Sequence, residues 1–299
     1  MMQPSSRLVL VLAASVAVTL GGVRAAGAAA PPSASVDATV PSSLDRVAIH
    51  YRAVGEGAPT VVLIHCWMCD SSIWDNVVPE LSRTHRVVTL DLPGHGKSGK
   101  DRKVWSMAAF GEDVRTVVET LHLDHVVLVG HSMGGPVMLE AARLMPGKVI
   151  GVVGVDTLLN ADAKSDPKEA DAWLAKMKAD FRGQTQQLVH AIAGKSSDPA
   201  VIDRVAEKMS SGDPAIGLAL MDSLQHYDVK AGMQAAKSPM VGINSTMRPT
   251  NVAANRKALP RFELLPLPEG VGHFPQVESP QAFNRLLEQA IALLAPPPR

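Results

Sequence analysis

From residue 46 onward the chain alternates between short runs of apolar, often β-branched residues and longer stretches of mixed polarity. TVVLIHC, RVVTLD, HVVLVG and VIGVVGVD are almost continuously apolar. Strands buried on both faces carry this pattern, because neither side of the sheet meets water. DRVAIHYRAV alternates instead, which predicts a strand with one exposed face. Helix-period stretches fall between the runs, over 106–121 and 133–144. Strands alternating with helices predict a mostly parallel sheet flanked by helices, and right-handed crossovers fix most of its topology.

After Asp156 the rhythm changes. No strand-like run occurs between residues 160 and 236. Four amphipathic stretches replace it: DPKEADAWLAKMKADF, QTQQLVHAIAG, DPAVIDRVAEKMS and DPAIGLALMDSLQ. In three of them Asp-Pro marks a helix start, with Asp as cap and Pro in the first turn. Residues 159–236 are therefore expected to be a helical cap inserted between strands 6 and 7. The core would comprise 36–158 and 237–295, resuming with PMVGIN, a helix near 250–258, RFELLPL and a final helix over 280–294. The expected class is α/β.

The first residues differ from this body. Arg7 precedes an apolar stretch, Leu8 to Leu20, and then the small-residue run AAGAAA. A positive start, a short apolar middle and small residues at the junction are the layout of a secretory signal. The apolar run falls short of the roughly 20 residues that span a bilayer. Residues 1–28 are expected to be a signal peptide, cut after Ala26 or Ala28, and the protein to be exported without a stable membrane anchor. Lys plus Arg balance Asp plus Glu at 29 each, so no basic surplus points to nucleic acid. The two cysteines, Cys66 and Cys69, lie in HCWMCD. A disulfide is chemically allowed in an exported protein. A zinc site would need further clustered ligands and a thioredoxin-type pair would open a helix, so a local structural role is expected and no metal.

The chemistry concentrates in VVLVGHSMGGPV, where Gly130, Ser132 and Gly134 form G-x-S-x-G between a strand and a helix. That context is the one a nucleophile elbow requires. The tight turn lifts the serine hydroxyl above the sheet, and the helix start behind it offers free N–H groups to a developing oxyanion. A second glycine-rich stretch, DLPGHGKS, approaches a phosphate-binding loop, but Asp91 holds the first glycine position and no helix begins at Lys97. No nucleotide or other cofactor is expected.

With that motif the chain resembles the α/β-hydrolase superfamily over about residues 40–295. LIHCWMCDSSIW is similar to the loop after the third strand that helps build an oxyanion hole. LDLPGHGKS is similar to the turn after the fourth strand, and GVGHFPQVESPQAFNRLL to the C-terminal segment that carries a catalytic histidine. The resemblance implies Ser132 as nucleophile, His273 as general base, and the Met133 and Trp67 amides as oxyanion donors. Cys66 stands where the family usually has glycine. Trp67 and Met68 would line an apolar acyl pocket beside His65, unless they are ordinary core residues.

The third triad member is absent from its usual place. The turn after PMVGIN reads NSTMR, and between Asp228 and Glu263 there is no Asp or Glu. Some relatives take the acid from the end of the preceding strand, which here is Asp156. The order Ser132, Asp156, His273 fits nucleophile, acid, histidine, and strand C-terminal ends face one crevice in such sheets. Asp156 is therefore the expected acid; the alternatives are that it caps the helical insert, or that His273 is held by backbone or Asn244. Arg248 falls where the family's acid would be and is a candidate for binding a carboxylate substrate, or a plain surface residue. The implied function is hydrolysis of a small apolar carboxylic ester or lactone through an acyl-enzyme, under a cap whose Trp173, Met177, Met209 and Met221 form an apolar ceiling. Two alternatives remain open. One keeps the site but changes the reaction to C–C bond hydrolysis, cofactor-free peroxidase chemistry or acyl transfer. The other is a non-catalytic ligand-binding protein, suggested only by the empty 245–248 turn.

Overall fold

The structure, a computed structural model, describes residues 35–295. The expected signal peptide lies outside the described residues. Eight strands form one sheet: β1 (Val36–Pro41), β2 (Ala48–Val54), β3 (Thr60–Ile64), β4 (Val87–Asp91), β5 (Val126–His131), β6 (Val149–Val155), β7 (Met240–Asn244) and β8 (Phe262–Pro266). Their order is β1-β2-β4-β3-β5-β6-β7-β8. β1 and β4 both pair antiparallel with β2, and every other pairing is parallel.

The apolar runs occupy the middle of this sheet. Every residue of β3, β4, β5 and β7 is buried, and in β6 only Ile150 is partly exposed. Helices cover both faces, as a parallel sheet requires. They are α1 (Val78–Leu81), α2 (Met107–Thr120), α3 (Gly134–Leu144), α4 (Pro167–Ala179), α5 (Phe181–Ile192), α6 (Pro199–Ser210), α7 (Pro214–Gln225), α8 (Val229–Ala236), α9 (Val252–Ala258), α10 (Pro275–Glu278) and α11 (Pro280–Leu294). None is long and apolar enough among the described residues to cross a membrane. β1 was not foreseen: VDATVP is short, polar on alternate positions and edge-lying, so its pairing with β2 supplies what its own sequence does not.

Five helices, α4 to α8, fill the chain between β6 and β7. Each begins with an aspartate whose carboxylate accepts a backbone N–H of the first turn. Asp166, Asp198 and Asp213 stand before a proline and accept from Lys168, Ala200 and Ala215, each at 2.9 Å. Asp180 and Asp228 accept from Gly183 and Ala231, also at 2.9 Å. The first-turn N–H groups lack intrahelical acceptors, so each cap satisfies a donor that would otherwise go unpaired.

Register decides what meets at the sheet's C-terminal edge. Ile64 pairs with Gly130, His131 with Val155, and Val155 with Ile243. The loops after β3, β5, β6 and β7 therefore emerge side by side, and they carry Trp67, Ser132, Asp156 and Ser245.

Candidate active site

Ser132 sits in the left-handed region at φ +53°, a conformation that costs a non-glycine residue about 1–3 kcal/mol and persists where the surroundings hold it. Three neighbours do so. Its N–H donates to Val155 O at 3.0 Å, and its carbonyl accepts from Gly135 N at 2.9 Å and from Thr157 Oγ1 at 2.7 Å. The glycines of the motif are there for space. A Cβ on Gly130 would collide with the Gly134 carbonyl oxygen, and one on Gly134 would lie 2.6 Å from Ile64 O.

Asp156 also has positive φ, +40°. It points not to the start of α4 but to the histidine: its Oδ2 lies 2.6 Å from His273 Nδ1. Its Oδ1 accepts from the Ser245 amide at 2.8 Å. The turn that lacks an acid thus contributes a backbone donor to the acid supplied by β6. Burial alone raises the Asp156 carboxyl pKa. The hydrogen bond and charge of His273, the Ser245 amide and Arg248 outweigh burial and hold it below the ordinary aspartate value. Asn244 does not reach His273. Its Oδ1 accepts from Thr157 N at 3.2 Å and its Nδ2 donates to Thr250 Oγ1 at 3.0 Å.

With Nδ1 facing Asp156, His273 leaves Nε2 as the nitrogen for proton transfer. No hydrogen bond joins Ser132 Oγ to Nε2 among the described residues; such bonds often form only when substrate is bound. Two amides complete the setting. Neither Trp67 N–H nor Met133 N–H has an acceptor among the described residues. Met133 directly precedes α3, where unpaired N–H groups and the positive end of the helix dipole coincide.

Other expected site residues take different positions. His65 is fully buried: its Nδ1 lies 2.8 Å from Cys66 O, and its Nε2 accepts from Leu92 N at 3.0 Å. Both ring nitrogens are consumed internally, so His65 shapes the loop and does not face a substrate. Trp67 Nε1 donates to Gly217 O at 2.9 Å, and its ring meets Phe181 edge-on at 5.7 Å. Met68 is 5% exposed and its sulfur lies near Gly217. Both side chains dock the β3 loop onto α5 and α7. Arg248 is half-exposed, with Nη2 3.8 Å from Asp156 Oδ2. The cation therefore stands beside the acid, at the position where the family's acid was expected. Of the expected ceiling, Met177 and Met209 are buried, while Trp173 and Met221 are partly buried. Cys66 and Cys69 are bridged. The DLPGHGKS loop is folded on Asp91, whose carboxylate accepts from Ser71 N and Lys97 N at 2.8 and 2.9 Å, so it makes no anion cradle.

Three supporting residues escaped the sequence reading. The first is His131, directly before the nucleophile candidate. It is fully buried, its Nε2 lies 2.7 Å from the His273 carbonyl oxygen, and Gln276 Nε2 donates to its Nδ1 at 3.0 Å. This fixes the neutral tautomer with the proton on Nε2. Burial, then the charge of the neighbouring His273, pushes its pKa down to about 3. Glu278 gathers four donors: Gly272 N at 2.6 Å, Phe274 N at 2.8 Å, Gly194 N at 3.0 Å and Ser197 Oγ at 2.8 Å. It ties the two residues flanking His273 to the connection between α5 and α6. The only local signal was a carboxylate shortly after the histidine; its partners in the insert lie some 80 residues away.

Residues 59–207 match the family described as the alpha/beta hydrolase fold. The dihydrolipoyllysine-residue acetyltransferase component of the acetoin cleaving system of Pseudomonas putida is 28% identical over 93% of this chain and 72% of that protein. The pimeloyl-[acyl-carrier protein] methyl ester esterase of Nitrosomonas europaea is 27% identical over 79% of this chain and 96% of that one. A solved N-acyl homoserine lactone degrading enzyme is 26% identical, with TM-score 0.71, and the match covers 81% of this chain and 96% of that one. Sheet order, elbow and these likenesses together place the chain in the α/β-hydrolase superfamily.

Proposed function

We propose that the protein is a serine hydrolase that cleaves a small apolar carboxylic ester or lactone through an acyl-enzyme. The observation that carries the reading is the 2.6 Å contact between Asp156 and His273 at the same sheet edge as the strained Ser132. A serine hydroxyl is a weak nucleophile until a neighbouring imidazole takes its proton. His273 Nε2 removes that proton as Ser132 Oγ attacks the carbonyl carbon. The Trp67 and Met133 amides receive the oxyanion, and Asp156 stabilises the imidazolium while staying ionised. His273 then protonates the departing alkoxide. Water, deprotonated by His273, then attacks the acyl carbon; the bond to Ser132 Oγ breaks, Oγ takes the proton back from His273, and the carboxylic acid product departs.

The esterase and lactone-degrading relatives support an ester or lactone as substrate class. The acetyltransferase relative fits the same acyl-enzyme discharged to an acceptor other than water, which keeps acyl transfer as a second reading. With Asp156 on His273, the empty 245–248 turn no longer argues for a non-catalytic binding protein. Helices α4 to α8 serve as the cap in this reading, held to the β3 loop through Trp67. Export, with the Cys66–Cys69 bridge kept in an oxidising compartment, belongs to the same proposal.

An activity-based fluorophosphonate tests the nucleophile. Labelling of the wild type is expected, and its loss in Ser132→Ala. Folded wild type that resists the probe and hydrolyses nothing in an ester and lactone panel would remove the proposal.

A further inference from the structure

The Cys66–Cys69 bridge encloses two residues, and one of them supplies the Trp67 amide. Residues 66–69 form a tight turn: Cys69 N donates to Cys66 O at 3.2 Å, and the Cα atoms of the two cysteines are 5.3 Å apart. Met68, at a corner of the turn, has φ +54°. An unbranched but bulky side chain is disfavoured there, so the turn has a local tendency to relax to negative φ. Relaxation would rotate the peptide planes on either side of Trp67. The constraints opposing it converge on these four residues. Upstream, the His65 ring is held between Cys66 O and Leu92 N. Outward, the Trp67 indole is fixed to Gly217 O and Phe181. The disulfide closes the turn itself, with both cysteines almost fully buried.

A bridge spanning so few residues removes little loop entropy from the unfolded chain, because that entropy grows with loop length. Its effect is concentrated on local geometry. The pairing of Ile64 with Gly130 brings the turn out beside the Ser132 elbow. The Trp67 N–H, without an acceptor among the described residues, is the group whose direction the turn determines. From these placements we infer that the Cys66–Cys69 disulfide is a positioning element for the oxyanion site: it locks the turn that presents the Trp67 amide to the developing charge. It takes over by covalent closure at a position where a smaller residue would leave the turn free. The inference rests on the hydrolase reading above.

The test compares oxidised wild type with Cys66→Ala/Cys69→Ala, and with wild type reduced by a phosphine and checked by thiol counting. Hydrolysis of p-nitrophenyl acetate gives kcat and KM. A boronic acid, which forms a tetrahedral adduct on serine with an oxygen in the oxyanion site, reports that site alone. Removing a whole oxyanion donor costs about 10²–10³ in kcat. A loosened donor is expected to lower kcat at least about tenfold, with KM within about twofold and boronic acid inhibition weakened in step with kcat. Unchanged kcat and boronic acid affinity without the bridge would overturn the inference while leaving the hydrolase intact. If the double variant does not fold, reduced wild type with an unchanged circular dichroism spectrum supplies the comparison. Oxidised wild type that neither turns over esters nor takes up a fluorophosphonate would overturn the hydrolase reading, and the inference with it.

Discussion

Glu278 ties the loop that carries His273 to a distant part of the chain. Its carboxylate accepts from Gly272, Phe274, Gly194 and Ser197. A glutamine there has one acceptor oxygen and would leave backbone donors on both sides of His273 poorly paired. Hydrogen bonds to charged groups contribute about 1.5–3 kcal/mol each. Glu278→Gln is therefore expected to lower unfolding stability by about 2 kcal/mol and to reduce kcat, read from urea midpoints and ester turnover. Unaltered stability and rate would mean that the four contacts do not hold the histidine loop. Sequence reasoning singled out Ser132, His273 and Asp156 as candidates because each sits at a strand end or in a recognisable loop, and the structure joins the last two. It missed Glu278 and His131 because their roles lie in contacts to distant segments, which neither periodicity nor spacing encodes. His65 went astray for the same reason: only the fold shows that Leu92 N occupies its second nitrogen.

At the scale of elements, local signals carried far. Asp-Pro predicted three helix starts, and all three aspartates cap as expected, because capping is decided within a few residues. The final helix over 280–294 was legible from its apolar stripe and its opening proline. The short α1 and α10 were not, since four residues hold too little periodicity to read. Asp213 is the most informative cap to remove. It starts α7, which also carries Gly217, the acceptor of the Trp67 indole. Asp213→Ala should cost about 1 kcal/mol and lower the thermal midpoint by about 2–4 °C. Asp171→Ala, in the exposed middle of α4, serves as the control and should change little. Equal midpoints for both variants would show that the cap contributes nothing to the insert.

Across the whole molecule, the buried histidines set the response to acid. His95 and His131 have pKa values pushed down to about 3 by burial, and burial lowers that of His65 as well. An unfolded chain protonates these rings at their ordinary value of 6.5, whereas the folded protein leaves them neutral. Stability is therefore lost as pH falls from 6.5 toward 3, by about 1.4 kcal/mol per pH unit for each of His95 and His131, and His65 adds in the same direction. Asp156 adds to the same trend lower down: its depressed carboxyl contributes stability above the unfolded value of 3.8 that disappears as pH falls through the folded one. Urea midpoints at pH 7 and pH 5 should separate more in wild type than in His95→Leu, and an identical separation would refute this account. The sheet itself was legible because continuous apolar runs leave no exposed face, which forces them to its centre. The edge was less so, as β1 shows.

The central claim is that β6 supplies the acid through Asp156 while the turn after β7 supplies only an amide. Turnover of a short-chain ester by Asp156→Asn tests it most directly. An asparagine keeps the shape but cannot stabilise the imidazolium or select its tautomer, so kcat should fall by about 10³–10⁴, as an equivalent change does in a serine protease. Full-rate turnover by folded Asp156→Asn would contradict the assignment.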